Sequence, residues 1–351
     1  MTIRDKVRGS LIAGAAGDAL GYPVEFLRWS DICDRYGEKG ITAYSIFKGE
    51  EKAVITDDTQ MTMFTAAGLL KAALDKQDDV TEAVHEAYFD WLNTQDAGFD
   101  APKSTWLSKI PQLYRQRAPG NTCLSALYSR VKGTPEKAVN MSKGCGGIMR
   151  VAPVGLFLRD IEQVNILAAE AAALTHGHPL GWLSAAAFAH IVNRLTYGEC
   201  AFGDTFRDIV EESADALRCL WPDVKETEEI AEGMLLACAL AENDAADRQN
   251  IALLGEGWVG EETLYIAIYC TARYKADLTA ALIAAVNHNG DSDSTGAVTG
   301  NMVGAMLGYE NIPACWLNEL ELREELLQLA DDLICEDKND PELRARYGVR
   351  E

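Results

Sequence analysis

The sequence predicts an all-α protein that folds as one compact domain over residues 1–351. Alanine-rich stretches with apolar residues three or four positions apart occur along the whole chain, which is the spacing of one helix face. The alternation of apolar and polar residues that marks a half-buried strand almost never persists. No linker rich in serine and proline and no repeat of fixed period divides the chain, so we expect one domain despite its length.

Eleven helices are predicted in order along the chain. The first is expected over residues 3–20, because Val7, Leu11 and Gly14 follow one another at helical spacing. The second is expected over residues 57–74 for the same reason. The sequence His-Gly-His-Pro at 176–179 should separate two of the later helices. The remaining helices are predicted over residues 80–92, 161–174, 180–195, 205–220, 227–242, 261–274, 278–287, 294–307 and 319–334.

Glycine recurs every four residues along one predicted helix, at Gly296, Gly300, Gly304 and Gly308. Because a glycine inside a helix costs about 1 kcal/mol relative to alanine, four on one stripe indicate that another helix backbone approaches closely. Asn301 lies within this stretch and favours a helix buried in a soluble core over one that spans a membrane.

The charge balance restricts the partners that the protein can bind. The chain has 32 basic and 54 acidic residues, which gives a formal net charge of −22. Such a surface repels polyanions, so general binding of DNA or RNA is not expected. An anionic small molecule would need a pocket with its own hydrogen-bond donors.

Cysteine usage and the lack of long apolar segments predict a cytoplasmic protein. The nine cysteines are odd in number, widely spaced and free of any CxxC pattern, which favours reduced thiols over disulfides or a zinc site. Residues 1–10 lack the apolar core of a signal peptide. The longest apolar segment, 180–192, is shorter than the roughly 20 residues that span a bilayer and contains His190, so no membrane association is expected.

Two acidic clusters far apart in the sequence carry the clearest chemical signal. One is Thr-Asp-Asp-Thr at 56–59 and the other is Asp-Ser-Asp-Ser-Thr at 291–295, each directly before an apolar, helix-like segment. Carboxylates and hydroxyls are the hard oxygen ligands that Mg²⁺ and Mn²⁺ prefer, and two such ions would neutralise four carboxylates. The alternative is helix capping, since Asp57 and Gln60 fit a capping box. Capping accounts for one residue per helix, so two pairs of neighbouring acids favour the metal site.

A glycine-rich loop between these clusters is a candidate anion-binding site. In Lys-Gly-Cys-Gly-Gly-Ile-Met-Arg at 143–150, three glycines can leave backbone amides open to a diphosphate, and Lys143 and Arg150 would add positive charge. A tight turn between helices is the alternative, and the loop matches neither a P-loop nor a dinucleotide fingerprint. Pro-Gly-Asn-Thr at 119–122 is a weaker candidate of the same kind.

A few other residues could belong to a site. His176 and His178 flank the break between two predicted helices, where each could contact a ligand or be satisfied locally in the turn. Asp18 and Glu25 could lie beside a metal or transfer protons, although a lone glutamate is by default on the surface. Cys145 is not predicted to be a nucleophile, because no histidine and asparagine partners are evident.

Together these motifs resemble those of the ADP-ribosylglycohydrolase family. Five motifs stand in the family's order and span about residues 8–308, which makes the resemblance specific. They are Gly-Ala-Ala-Gly-Asp-Ala-Leu-Gly at 14–21 followed by Glu25, the cluster at 56–59, the loop at 144–153, Thr175-His176, and Gly-Asp-Ser-Asp-Ser-Thr at 290–295.

The resemblance implies an all-α fold of the family's type with two Mg²⁺ or Mn²⁺ ions at the mouth of a cleft. Ser294 stands where many members have threonine, which keeps the hydroxyl, and Cys145 stands where asparagine or serine is frequent, which puts one polar contact in doubt. Glu25 and Asp58 would be the catalytic residues. The metal ligands would be Thr56, Asp57, Asp58, Asp291, Asp293 and Ser294. The substrate would contact Lys143, Gly144, Cys145, Gly146, Gly147, Ile148, Met149 and His176.

The function that the resemblance implies is hydrolysis of the C1″ glycosidic bond of ADP-ribose attached to a target. The expected substrate is a protein that carries ADP-ribose on arginine. A small molecule that contains ADP-ribose is the other substrate that the resemblance allows. Cleavage builds positive charge on the ribose, the ions would lower the pKa of the attacking water, and Glu25 would accept its proton. Two alternatives stay open. One is a non-catalytic binder of ADP-ribosylated targets or of an ADP-ribosylating toxin, and the other is a two-metal phosphohydrolase.

Overall fold

The computed structural model describes residues 1–99, 103, 105–198, 205–275 and 277–348. Within these residues the chain forms seventeen α-helices packed into one compact domain, which confirms the all-α prediction. Strand-like pairing in the described part is limited to two isolated bridges, Ala53 with Leu320 and Gly144 with Val259.

In chain order the helices are α1 (Ile3–Gly21), α2 (Trp29–Tyr36), α3 (Asp57–Asp75), α4 (Val80–Gln95), α5 (Asn121–Tyr128), α6 (Ala152–Phe157), α7 (Ile161–Ala173), α8 (Pro179–Tyr197), α9 (Phe206–Leu220), α10 (Glu226–Ala241), α11 (Asp247–Leu254), α12 (Gly260–Tyr274), α13 (Leu278–Val286), α14 (Ser292–Leu307), α15 (Ala314–Leu317), α16 (Arg323–Leu333) and α17 (Pro341–Arg346). Most helices follow one another closely, and the long connections lie between α2 and α3, between α4 and α5, and between α5 and α6. Short 3₁₀ turns lie at Tyr22–Val24, Trp106–Lys109, Pro111–Leu113, Cys145–Gly147 and Tyr309–Asn311.

All eleven helices predicted from the sequence are present, and most begin and end within two residues of the prediction. The predicted start of the last of them at 319 was wrong: α16 begins at Arg323, because Leu322 has a left-handed φ of 53° that a continuous helix cannot contain. Helix α14 begins two residues earlier than predicted, since Asp291 is its N-cap. The six helices that the sequence did not predict have four to eight residues, too few to show a periodic apolar pattern.

Helices α1 and α14 lie at the centre of the fold and touch backbone to backbone. A Cβ added at Gly300 would lie 2.0 Å from the carbonyl oxygen of Ala13, and one added at Gly17 would lie 2.0 Å from that of Gly296. No side chain fits in these gaps, so the predicted close approach of a second helix is confirmed. Gly308 has a further role, because it ends α14 with a φ of 76°.

A buried polar pair fixes the register of these two helices. The hydroxyl of Ser10 donates to the carbonyl oxygen of Asn301 at 2.9 Å, and the side-chain amide of Asn301 donates to the carbonyl oxygen of Ser10 at 2.9 Å. With this register, the end of α1 lies beside the start of α14, where a Cβ at Gly21 would come within 2.2 Å of the carbonyl oxygen of Ser292.

The apolar segment at 180–192 lies in α8 and is buried in the protein core. Its one histidine, His190, contacts Asn165 at 3.2 Å. Among the described residues, no helix combines the length and the hydropathy needed to cross a bilayer. The eight cysteines in the described ranges form no disulfide, and Cys200 lies outside those ranges.

Gly300→Leu should destabilise the protein, because the new side chain would meet the backbone of α1 at Ala13, which cannot move aside as a flexible side chain could. Overpacking of a core costs ~1–3 kcal/mol or more. Ala239→Leu is the control, since it adds a similar side chain on the exposed face of α10. Calorimetric melting of both variants tests this. A Gly300→Leu protein as stable as the wild type would contradict the backbone contact.

Candidate active site

Asp18 joins two helices at the place where the candidate site lies. It is fully buried near the end of α1, and its carboxylate accepts hydrogen bonds from the backbone amides of Thr56 (3.0 Å) and Thr59 (3.1 Å) and from the hydroxyl of Thr59. These bonds hold the start of α3 against α1. Because α14 also begins beside the last turn of α1, the N-termini of α3 and α14 lie together.

The two acidic clusters predicted from the sequence meet in one cavity, and Glu25 joins them. The cavity has a volume of about 320 Å³ and is lined by Glu25, Asp57, Asp58, Asp291 and Asp293. None of these five side chains is more than 7% exposed. Carboxylate oxygens of Glu25, Asp291 and Asp293 lie within 4.8 Å of one another, close enough to share one cation. Glu25 is therefore not on the surface, which is the default position of a lone glutamate.

Helix capping accounts for part of the acidic clusters only. The hydroxyl of Thr56 accepts the amide of Asp58 at 3.2 Å, so Thr56 is the N-cap of α3 and the capping role suggested for Asp57 was wrong. Asp291 caps α14 by accepting the amide of Ser294 at 3.2 Å. Oδ2 of Asp58 and Oε2 of Glu25 are buried without a hydrogen-bond partner, which capping cannot explain.

Burial raises the pKa of every carboxyl group in this cluster, and repulsion by a neighbouring carboxylate raises it further for all of them except Asp293. Burial is the main cause, and the neighbouring charge of Asp293 adds to it. The pKa of Asp18 rises from its ordinary value of 3.8 to about 7, and that of Glu25 rises from 4.5 to about 11. The pKa is also raised for Asp57, Asp58, Asp291 and Asp293. Positive charge in the cavity would reverse this effect, because it favours the ionised carboxylates.

The donor set fits a hard divalent cation. It consists of carboxylate oxygens, two of which lack a partner, together with the hydroxyl of Ser294 at the cavity wall. Oxygen donors of this kind suit Mg²⁺ or Mn²⁺, and neither cysteine sulfur nor imidazole nitrogen dominates as in zinc sites. Thr56 does not line the cavity, and its hydroxyl caps α3.

The glycine-rich loop at 143–150 forms a second wall of the cavity. Its residues Gly144, Cys145, Gly146 and Met149 line the cavity, and the thiol of Cys145 lies 2.8 Å from Oδ2 of Asp291. The glycine at 146 is required for space, because a Cβ there would lie 2.8 Å from the ring of His176.

The loop differs from the expectation of an open, positively charged anion cradle. The amide of Cys145 donates to the carbonyl oxygen of Trp258 at 3.2 Å, and the amides of Ile148 and Met149 donate to that of Cys145 at 3.0 and 3.1 Å. These three amides are therefore already bonded within the protein. The side chain of Ile148 is buried in the core, and neither Ile148 nor Gly147 lines the cavity.

The two cationic side chains of the loop are also engaged elsewhere. The ammonium group of Lys143 pairs with Glu261, and Lys143 does not line the cavity. Arg150 is fully buried, where it donates to the carbonyl oxygen of Ala171 at 3.0 Å and to the hydroxyl of Thr175 at 2.7 Å. The expectation that these charges face an anion is corrected: both serve to hold the loop against the surrounding helices.

His176 reaches the cavity, and His178 does not. Nδ1 of His176 contacts the hydroxyl of Thr175 at 2.8 Å, and burial together with the charge of Arg150 lowers its pKa to about 3. His176 is therefore neutral at physiological pH and offers Nε2 to a bound molecule. His178 instead caps α8, where its Nδ1 accepts the amide of Leu180 at 3.1 Å.

Three parts of the cavity wall have a weak sequence signal or none. The weaker anion-loop candidate at 119–122 lines the cavity at the start of α5, and the amide of Gly120 donates to Oδ2 of Asp57 at 3.0 Å. Phe26 and Trp258 line the mouth and carry no sequence motif. The only available signal for Trp258 was its position in a glycine-flanked segment between two predicted helices, Gly-Glu-Gly-Trp-Val-Gly at 255–260.

Comparison with known proteins agrees with this geometry. A sequence model described as ADP-ribosylglycohydrolase matches residues 1–342. The chain is 24% identical over 340 residues to ADP-ribosyl-[dinitrogen reductase] glycohydrolase of Rhodospirillum rubrum, with 92% of this chain and 93% of the relative covered. It is 28% identical over 305 residues to ADP-ribosylhydrolase ARH3 of Mus musculus, with 81% and 77% covered.

Another relative and a solved structure extend the comparison. The chain is 26% identical over 340 residues to ADP-ribosylarginine hydrolase Tri1 of Serratia proteamaculans, with 94% of this chain and 79% of the relative covered. A solved structure titled ADP-ribosylglycohydrolase-related protein complex has a TM-score of 0.62 and 23% identity, and the match covers 94% of this chain and 97% of that one. That likeness shows a shared fold.

Asp293→Asn should stabilise the metal-free protein near neutral pH, because it removes one repelling charge from the cluster. A carboxyl group whose pKa is raised by folding favours the folded chain at low pH and loses that contribution as pH rises through the folded value. For Asp18 this loss of stability takes place between pH 3.8 and about pH 7. Over this pH range, the stability of the metal-free wild type should fall more than that of Asp293→Asn.

Thermal melting in EDTA at about pH 5 and about pH 8 measures the difference, which should reach ~2 °C or more at the higher pH. Added Mg²⁺ should raise the melting temperature of the wild type more than that of Asp293→Asn. Asp215→Asn, at a side chain that is 74% exposed, is the control and should match the wild type. If Asp293→Asn melts below the wild type in EDTA at both pH values, the electrostatic account of the cluster is wrong.

Proposed function

The chain belongs to the ADP-ribosylglycohydrolase family, and from this premise we propose that it hydrolyses the C1″ glycosidic bond of ADP-ribose attached to arginine in a target protein, with two divalent cations, Mg²⁺ or Mn²⁺. The observation that carries the proposal is the convergence of five buried carboxylates on one cavity, two of them with an oxygen that lacks any partner. A protein that only binds ADP-ribose has no need of such a costly arrangement.

The residues proposed to hold the cations come from the starts of α3 and α14. When bound, such ions supply positive charge that polarises water and orients the hydroxyls of a ribose. The helix N-termini contribute to the site, since their dipoles favour the ionised side chains. The proposed ligands are Thr56, Asp57, Asp58, Asp291, Asp293 and Ser294.

Glu25 is proposed to accept the proton of the attacking water, together with Asp58 as the other catalytic residue. Each has a buried oxygen without a partner, so each can take a proton or hold a water at a defined position. Glu25 follows the 3₁₀ turn Tyr22–Val24 and is not constrained by a helix. Glu25 also lies close to Asp291 and Asp293. A role as a cation ligand is therefore the alternative to proton transfer, and an experiment must distinguish the two.

Reaction at the ribose carbon is consistent with the surrounding charge. Cleavage of the glycosidic bond builds positive charge on the sugar ring, and ionised carboxylates around the cavity would stabilise that charge. The neutral His176 and the loop residues Gly144 to Gly146 and Met149 are proposed to contact the ADP-ribose. For its diphosphate we propose the segment at 119–122 as well, because the start of α5 adds a helix N-terminus at the cavity wall.

The target and the compartment are also part of the proposal. Two relatives carry names that specify an ADP-ribosylated dinitrogen reductase and ADP-ribosylarginine, which supports a modified protein as the substrate. The eight described cysteines form no disulfide, which is typical of proteins in a reducing compartment, and we propose a cytoplasmic location.

Incubation with a defined ADP-ribosyl-arginine peptide should release ADP-ribose, as identified by mass spectrometry. Excess EDTA should abolish the release, and Mg²⁺ or Mn²⁺ should restore it. Asp293→Ala should lose at least one bound ion by elemental analysis, while the exposed control Asp215→Ala should lose none. Full activity in EDTA would rule out the cation site. AMP as the product would indicate a phosphohydrolase, and binding without any product would indicate a non-catalytic role.

Glu25→Gln should lower turnover by about 10²-fold or more while ADP-ribose affinity stays unchanged, since glutamine keeps the size but cannot accept a proton. Glu38→Gln is the matched control at an exposed position. Turnover, calorimetric ADP-ribose affinity and metal content should be measured on the same preparations. Unchanged turnover would exclude Glu25 from catalysis, and joint loss of metal and turnover would make it a cation ligand.

A further inference from the structure

Two exposed aromatic rings lie stacked at the mouth of the acidic cavity. Phe26 is 72% exposed, more than any other large apolar side chain that the structure describes, and Trp258 is 38% exposed. Their ring centroids are 5.7 Å apart with an angle of 21° between the planes. Apolar side chains that remain in contact with water at a cavity mouth are typical of a binding surface.

Backbone hydrogen bonds hold the segment that carries Trp258 between two parts of the cavity wall. The carbonyl oxygen of Trp258 accepts the amide of Cys145 at 3.2 Å, and that of Glu256 accepts the amide of Asp291 at 2.9 Å. The segment that carries Trp258 is therefore tied to the glycine-rich loop on one side and to the start of α14 on the other. Such a position is defined before any ligand arrives, which lowers the entropic cost of binding.

The position of the pair along the substrate follows from Glu25. Phe26 is the next residue after Glu25, and consecutive Cα atoms are about 3.8 Å apart. Glu25, Phe26 and Trp258 line the same cavity, so if the bond to be cleaved lies at Glu25, as the proposed function requires, the rings lie on the same side of the substrate as that bond. The adenine of ADP-ribose is separated from the bond by two riboses and a diphosphate. The rings are therefore placed to contact the group that leaves, and not the adenine.

The chemistry of this surface favours a planar cation. Aromatic faces, and tryptophan above all, attract guanidinium and ammonium groups. An outer cavity of about 290 Å³ continues from the two rings and includes the exposed side chains of Glu256 and Arg28. Because the charges of Glu256 and Arg28 are opposite, they give no net preference for a cation. The preference comes from the ring faces and from the carboxylates that line the first cavity.

We propose that the rings of Phe26 and Trp258 form an aromatic platform. This platform stacks on the guanidinium of the ADP-ribosylated arginine and so selects arginine as the leaving group. This inference rests on the proposed function. The two rings position the target side chain and take no part in proton transfer.

Trp258→Ala should lower kcat/KM for an ADP-ribosyl-arginine peptide about tenfold, mainly through KM, while the dissociation constant of ADP-ribose stays within about twofold of the wild type. Phe26→Ala should act in the same direction. Trp258→Phe keeps an aromatic face and should recover most of the loss. Leu236→Ala removes an exposed apolar side chain on α10 and is the control that should leave every value unchanged.

A second measurement is independent of turnover. Arginine amide titrated into the ADP-ribose-bound protein should bind to the wild type and change its tryptophan fluorescence, and Trp258→Ala should lose that response. If the Trp258→Ala and Phe26→Ala proteins lose ADP-ribose affinity in parallel, the platform belongs to the nucleotide. If neither kcat/KM nor arginine amide binding changes, the platform does not exist. A wild type that cleaves no ADP-ribosylated substrate defeats the proposed function, and the arginine amide titration still tests the platform.

Discussion

The direct backbone contact of α1 with α14 is the constraint on which the rest of the molecule depends. Because Gly17 and Gly296 leave no room for side chains between the helices, the end of one lies against the beginning of the other. This contact brings Asp18 and Glu25, which follow one another closely in the sequence, to the carboxylates of a segment almost 270 residues later. Asp18 then fixes the start of α3 by accepting its amides, and the second acidic cluster is in place.

The resulting site is electrostatically unfavourable, because it brings buried carboxylates close together. Five buried carboxylates share one small cavity, and their pKa values rise because the groups are buried and most of them lie close to a like charge. The packing of α1 on α14 and the hydrogen bonds to Asp18 stabilise the fold and offset the cost of burying these carboxylates. This separation of roles explains why one buried carboxylate, Asp18, has its hydrogen bonds satisfied, while Glu25 and Asp58 each keep a free oxygen. Proteins commonly tolerate such local cost at the place where they bind a cation or carry out chemistry.

The walls of the cavity divide into two sides that a substrate would meet in turn. Residues 144–146, Met149 and the start of α5 line the cavity, where the neutral His176 contributes an uncharged polar group. The stacked rings of Phe26 and Trp258 face outward. Backbone hydrogen bonds join the segment that carries Trp258 to Cys145 and to the start of α14.

The sequence by itself determined the helical class, the positions of the long helices and the two acidic clusters, because helical periodicity and neighbouring acids are local properties. The glycine stripe also predicted that a second backbone would pack on Gly300, though not which one. Only the tertiary structure decided that Lys143 and Arg150 turn to partners within the protein, and that Phe26 stands exposed beside a buried Glu25. Those outcomes depend on neighbours distant in sequence, and the free energy of burying or pairing a charge is set by such neighbours and not by the residues on either side.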